Sequence, residues 1–164
     1  MKFSIIIPTF ENYDYLKLCI DSIKKNSTYS HEIIVHVNGN DLISKKYLSE
    51  QNIIFTESVS NIGLCSSVNL ASKKASTNYI LYSHDDMYYL PKWDEYLAEE
   101  INNLSTKLFY LSLTQISYTG SVKGNLQHIE FNCGDEIGNF NERKLLDNFG
   151  SFKFRNLQGS HWAP

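Results

Sequence analysis

Two adjacent carboxylates and an imidazole, Ser83-His84-Asp85-Asp86-Met87, follow an apolar run directly. Asp supplies hard oxygen ligands, and a neutral His can join them on Mn²⁺ but suits Mg²⁺ less well. At the end of a buried strand such a cluster could hold a divalent cation or face a phosphate. Paired Asp residues also simply cap loops and helices, and this segment alone leaves both readings open. Two further stretches have the same double character. Asn61-Ile62-Gly63-Leu64, with Asn69 further on, places a cap residue and a glycine at a helix start, where backbone amides favour anions; most N-x-G starts are only caps. Pro8-Thr9-Phe10-Glu11-Asn12 makes a sharp strand exit with polar side chains where a ligand's base could lie, and a plain turn would use the same residues.

The elements that would position these residues follow from hydrophobic spacing. Phe3 to Phe10 and His31 to Val37 are continuous apolar runs, the mark of strands buried on both faces. Between them Leu16, Cys19, Ile20 and Ile23 recur at three- and four-residue steps, which predicts a helix over Tyr13 to Lys25. A short helix over Leu42 to Glu50 and a strand over Asn52 to Thr56 come next. A helix from Asn61 to Ala75 would carry Leu64, Val68, Ala71 and Ala75 on its apolar side, and Asn78 to Ser83 reads as a fourth strand. Pro91 suits the first turn of a helix reaching about Leu104. Leu108 to Tyr118 alternates like a fifth strand, Gly120 to Gly138 reads as loops, and Glu142 to Phe149 as a short helix. Alternating strands and helices predict an α/β fold, a mostly parallel sheet flanked by helices on both faces. Ligands of such sheets bind at the carboxyl ends of the strands, here Thr9 to Asn12, Asn38 to Asp41 and His84 to Met87.

Composition narrows the function classes. The 164 residues are 42% hydrophobic and 20% charged, with a net charge of −3, as in an ordinary soluble domain. No basic cluster exceeds pairs such as Lys24-Lys25, so a nucleic-acid partner is not expected. Cys19, Cys65 and Cys133 are far apart and suggest buried thiols in a reducing compartment. The apolar start is too short for a signal peptide, and no stretch is long enough to span a bilayer. A cytoplasmic location is expected, free or peripheral to a membrane. There is no G-x-G-x-x-G after the first strand and no G-x-x-x-x-G-K-S/T, which argues against dinucleotide and P-loop chemistry.

As an ordered set the motifs resemble family-2 glycosyltransferases of the GT-A fold. IIIPTFEN matches the family's apolar strand ending in P-T-Y/F-N, and HEIIVHVNGN matches its E-I-I-V strand. Asn61, Gly63 and Asn69 match its N-x-G-x-x-x-x-x-N, and YILYSHDDMYYLPKWDEYL its D-x-D strand and P-x-W/L helix. The resemblance covers about Phe3 to Leu104. It implies a nucleotide-sugar donor, with UDP-sugars favoured, held by Pro8, Thr9, Phe10, Glu11, Asn38, Asn61, Gly63, Asn69, His84, Asp85 and Asp86. A divalent ion, Mn²⁺ or Mg²⁺, would sit on Asp86 with His84, and a sugar would pass to a saccharide or other hydroxyl acceptor, with inversion. Two positions depart from the pattern: Val37 stands where the family has a uracil-binding Asp, with Asn38 offering an amide beside it, and His84 stands at the first Asp of D-x-D. Residues 1–119 would form the nucleotide-sugar region and 120–164 the start of an incomplete acceptor region. The family's catalytic base has no clear match there. Asp135 and Glu136 are the candidates, with a surface loop as the plainer alternative, while His161 and Trp162 could line the acceptor site or, for the Trp, the core. The chain closes on Ala163-Pro164 without a terminating signal, which suggests a shortened enzyme. A non-catalytic nucleotide-binding module of the same fold is the competing expectation.

Overall fold

The computed structural model describes residues 1–118 and 128–152. The chain divides into two compact units, Met1–Asn103 and Leu104–Pro164.

In the first unit four strands, β1 (Ser4–Thr9), β2 (Glu32–Val37), β3 (Ile54–Glu57) and β4 (Ile80–Tyr82), form one parallel sheet in the order β3-β2-β1-β4. Their connections carry α1 (Tyr13–Asn26), α2 (Leu42–Glu50) and α3 (Leu64–Ser72), and α4 (Trp93–Asn103) follows β4. β1 lies in the middle of this order and all six of its residues are buried, which is why its sequence is apolar without alternation. The chain steps from β1 to β2 to β3 in one direction, then returns across β1 to reach β4. Right-handed crossovers therefore put α3 on the opposite face from α1 and α2. On the α3 face Ile6 and Ile34 close against Ala71, with Val68 and Ala75 packed at the margin. The predicted stripe Leu16, Cys19, Ile20 and Ile23 is the buried side of α1.

Several boundaries differ from the sequence expectation for local reasons. Asn52 adopts φ +53°, so a turn precedes β3 and delays its start. Gly63, at φ +81° and ψ 165°, occupies the N-cap of α3; Asn61, expected there, instead accepts the Gly63 N–H on its side chain at 2.9 Å. Lys92 at φ +64° interrupts the chain after Pro91, and α4 begins only at Trp93. Its Asp94 is fully buried and accepts the N–H groups of Thr28 and Tyr29 at 2.9 and 2.8 Å, with His31 Nε2 at 3.0 Å. His31 Nδ1 accepts the Phe3 N–H at 3.2 Å. The ring is therefore neutral, donating from Nε2, and burial holds its pKa below the usual value. This ties α4 to the amino ends of β1 and β2.

The second unit contains a two-stranded parallel ladder, β5 (Gln115–Ser117) with β6 (His128–Glu130), then α5 (Glu142–Asn148) and a 3₁₀ turn over Phe149–Ser151. The alternation from Leu108 to Tyr118 yields only three strand residues, since Leu108 and Tyr110 are exposed and bury no face. β6 corrects the all-loop reading of that region: its short HIE segment has too little pattern to be seen alone.

Candidate functional site

The strand order places a topological switch between β1 and β4, the location at which open parallel sheets leave a crevice at their carboxyl ends. The two strands deliver Thr9 and Asp85 there. Thr9 is 2% exposed, and its hydroxyl donates to Asp85 Oδ2 at 2.7 Å. Asn12 also bonds the Asp85 carboxylate. Burial raises the Asp85 pKa above the ordinary carboxyl value, the bonds from Thr9 and Asn12 pull it down, and neighbouring Asp86 pushes it up again. Asp85 is thus an anchored carboxylate, and Asp86, next in the turn, is exposed.

The segment around this pair is fastened on both sides. Upstream, the Cys19 thiol of α1 donates to the His84 carbonyl at 3.6 Å. Burial pushes that thiol up to about 12, so it is a packing group and not a nucleophile. The His84 ring packs 5.1 Å from that of Tyr82, its Nε2 3.1 Å from the Tyr82 hydroxyl. Downstream, the Tyr89 N–H donates to Ser22 Oγ at 2.9 Å and Asn26 Nδ2 donates to the Tyr89 carbonyl at 2.7 Å, both from α1. Trp93 Nε1 reaches Ser27 Oγ at 2.9 Å. Asp85-Asp86 is therefore the tip of a loop whose ends cannot drift.

Beside it, Thr9 closes the buried run of β1 directly after Pro8, and Phe10 and Glu11 turn outwards, Glu11 at φ +50°. Phe10 is 46% exposed and its ring rests on Gly39. A Cβ at Gly39 would lie 3.3 Å from Phe10 Cε2, a close approach that the half-exposed ring can relieve, whereas the φ of +72° is what favours glycine there. Asn38 is 4% exposed and its amide is turned inwards, as described below. Gly63 has open space where a Cβ would lie, so its need for glycine is purely conformational. Asn69 is on the exposed side of α3, away from buried Ser67 and Ala71.

The structure thus brings Thr9, Phe10, His84, Asp85 and Asp86 to neighbouring strand ends, with Asn38 and the Asn61–Gly63 approach to α3 along the same sheet edge. Asn12, Gly39 and Ser67 share in this construction as well. The polar strand exit hinted at Asn12, whereas Gly39 resembles an ordinary strand stop and Ser67 an ordinary helix serine. Asp135 and Glu136 belong to the second unit. There Asn139 Oδ1 accepts both of their N–H groups at 3.0 Å, and its amide donates to Asp135 Oδ1 at 2.6 Å. His161 and Trp162 lie outside the described residues. Among the described residues no group of three or more His, Cys, Asp or Glu side chains gathers to hold a metal. The acidic tip offers hard oxygens from one exposed and one anchored carboxylate, which suits an ion completed by a ligand's oxygens.

An open parallel α/β sheet with an acidic tip at its switch point is a doubly wound, ligand-binding architecture. The family is given by the sequence match: residues 4–159 fit the model described as Glycosyl transferase family 2, and the chain belongs to that family. The fold is that of GT-A nucleotide-sugar transferases. Similar solved structures include S. aureus TarS 1-349 in complex with UDP-GlcNAc, at 21% identity and TM-score 0.54, covering 70% of this chain and 38% of that one. Mannosyltransferase PcManGT from Pyrobaculum calidifontis, in complex with GDP-Man and Mn²⁺, matches at 14% identity and TM-score 0.55, covering 70% of this chain and 34% of that one. The chain therefore spans well under half the length of these proteins. No curated protein matches it. No helix among the described residues is long and apolar enough to cross a membrane.

Proposed function

We propose that the first unit binds the nucleoside diphosphate half of a nucleotide-sugar donor, a UDP-sugar in the first instance, at the carboxyl ends of β1 and β4. The enzyme then transfers the sugar, with inversion, to a saccharide or other hydroxyl acceptor. The observation that carries this reading is the Thr9–Asp85 bond at the switch point, which holds one carboxylate so that Asp86 projects from the tip. The same-fold complexes with UDP-GlcNAc and GDP-Man support it.

In this reading Pro8, Thr9, Phe10 and Glu11 border the base, with the Phe10 ring as its platform. His84 and Asp85 face the ribose and phosphates. Gly63, with Asn61 shaping its turn and Asn69 on the open side of α3, offers the helix's first amides to the anion. Asp86, with His84 beside it, would hold Mn²⁺ or Mg²⁺, which when bound offsets the negative charge that builds on the departing diphosphate. The chain's own contribution is placement. A carboxylate fixed by Thr9 and Asn12 needs little reorganisation when the donor arrives, and a crevice that excludes water strengthens each of these attractions. Inversion requires a base within hydrogen-bond reach of the acceptor hydroxyl. Asp135 and Glu136 are the acidic candidates for that role.

Titration calorimetry with UDP, with and without Mn²⁺, tests the reading. UDP should bind at least about tenfold more tightly with the ion, equivalent to ~1.4 kcal/mol. Equal affinities would remove the metal from the mechanism, and no binding in either condition would overturn the donor site itself.

A further inference from the structure

The carboxyl end of β2 is where the donor's base should be read, and its side chains are committed elsewhere. Val37 is apolar and fully buried, and Asn38 is 4% exposed. The Asn38 Nδ2 donates to Ser67 Oγ of α3 at 2.9 Å, and its Oδ1 accepts the Ile62 N–H at 3.1 Å. The Ser67 hydroxyl gives its hydrogen to the Gly63 carbonyl at 2.7 Å, which leaves its oxygen to accept from Asn38. One amide thus joins the end of β2 to the turn at Ile62-Gly63 and to the second turn of α3. An amide does this because it carries a donor and an acceptor on one short side chain. A carboxylate would still accept the Ile62 N–H, but it would draw the Ser67 hydrogen away from the Gly63 carbonyl.

We infer that Asn38 is a positioning residue for the Ile62-Gly63 approach to the donor, and that the site takes its base without a side-chain hydrogen bond from the β2 end. It therefore accepts pyrimidine and purine diphosphates with similar affinity. This rests on the donor-site reading above. The base instead meets the exposed Phe10 ring over Gly39, and a π-face attracts every base. Specificity for the donor must then come from its sugar and diphosphate. The two departures at Val37 and Asn38 have one cause: this strand end holds the α3 approach together, where a base-reading carboxylate would point outwards.

The test is calorimetry of the whole chain with UDP, GDP and ADP in the presence of Mn²⁺, repeated on Asn38→Asp and on Ser67→Ala. The three nucleotides should bind the parent chain within about fivefold of one another, less than the roughly tenfold that one well-made base-specific hydrogen bond supplies. Asn38→Asp should weaken all three by a similar factor and leave their ratios unchanged. Ser67→Ala, which removes the hydroxyl that Asn38 meets, should do the same more mildly and serves if the first variant does not fold. A preference for UDP of tenfold or more in the parent chain would overturn the inference, with the donor site intact. So would an Asn38→Asp variant that binds UDP more tightly, since a carboxylate there would then be accepting the uracil N3–H. If none of the three binds, the donor-site reading falls and takes this inference with it.

Discussion

Asp85-Asp86 and Asp135-Glu136 are both adjacent acidic pairs in turns, and they are held in opposite ways. Asp85 is secured by Thr9, 76 residues earlier in the chain, and the rest of its loop by Ser22 and Asn26 of α1. The Asp135-Glu136 turn is closed from within: its side-chain bonds run to Asn139, three and four residues away. The Asn141 N–H completes it by donating to the Cys133 carbonyl at 2.7 Å. The first loop has its shape only because a sheet brings distant residues together, whereas the second carries its own geometry. A carboxylate held by the sheet inherits the rigidity of the core. One held by its own turn can keep its shape while the rest of its unit changes.

If this contrast is right, damage to the sheet should reach the first pair and spare the second. The largest effect is expected from Ile34→Ala, which empties a fully buried position against Ile6 and Ala71. Urea unfolding should show a loss of about 2–5 kcal/mol, with UDP binding weakened as the strand ends loosen. Amide protection in the Asp135–Asn139 turn should persist. If that turn loses protection in parallel, the two pairs are not independent.

Gly134→Ala makes the reverse cut. Gly134 has φ +108°, and a Cβ there would lie 2.5 Å from the Asn139 carbonyl oxygen. The strain, about 1–3 kcal/mol, should appear as fast amide exchange at Asp135 and Glu136 while UDP affinity with Mn²⁺ is unchanged. A fall in UDP affinity would show that the donor site depends on this turn.

The smallest structural change is Asp86→Asn, which keeps the size and removes the charge of an exposed side chain. Mn²⁺-assisted UDP binding should fall by about an order of magnitude, ~1.4 kcal/mol, with the unfolding midpoint unmoved. Unfolding of this variant, with binding retained in the molecules that stay folded, would make Asp86 a structural cap.

Periodicity carried much of the architecture. The α1 stripe and the bounds of α2 are found where the sequence places them, because these are properties of neighbouring residues. The buried run of β1 likewise announces a strand covered on both faces. Less legible were the elements governed by a single unusual residue. Gly63 displaces the start of α3 and Lys92 that of α4 through positive φ values, and the tripeptide β6 is too short to show a pattern.

The amino-acid sequence by itself determined the strand–helix alternation, the acidic tip after β4 and the membership of a family whose motifs appear in order. Tertiary structure alone decided that β4 lies beside β1, that Thr9 therefore grips Asp85, and that the Asn38 amide faces Ser67. The reason is physical. Helix and strand preferences are summed over adjacent residues, whereas a hydrogen bond between side chains 76 positions apart exists only after the strand order has been chosen. That choice is made by which apolar faces close on one another, here Ile6 and Ile34 against Ala71.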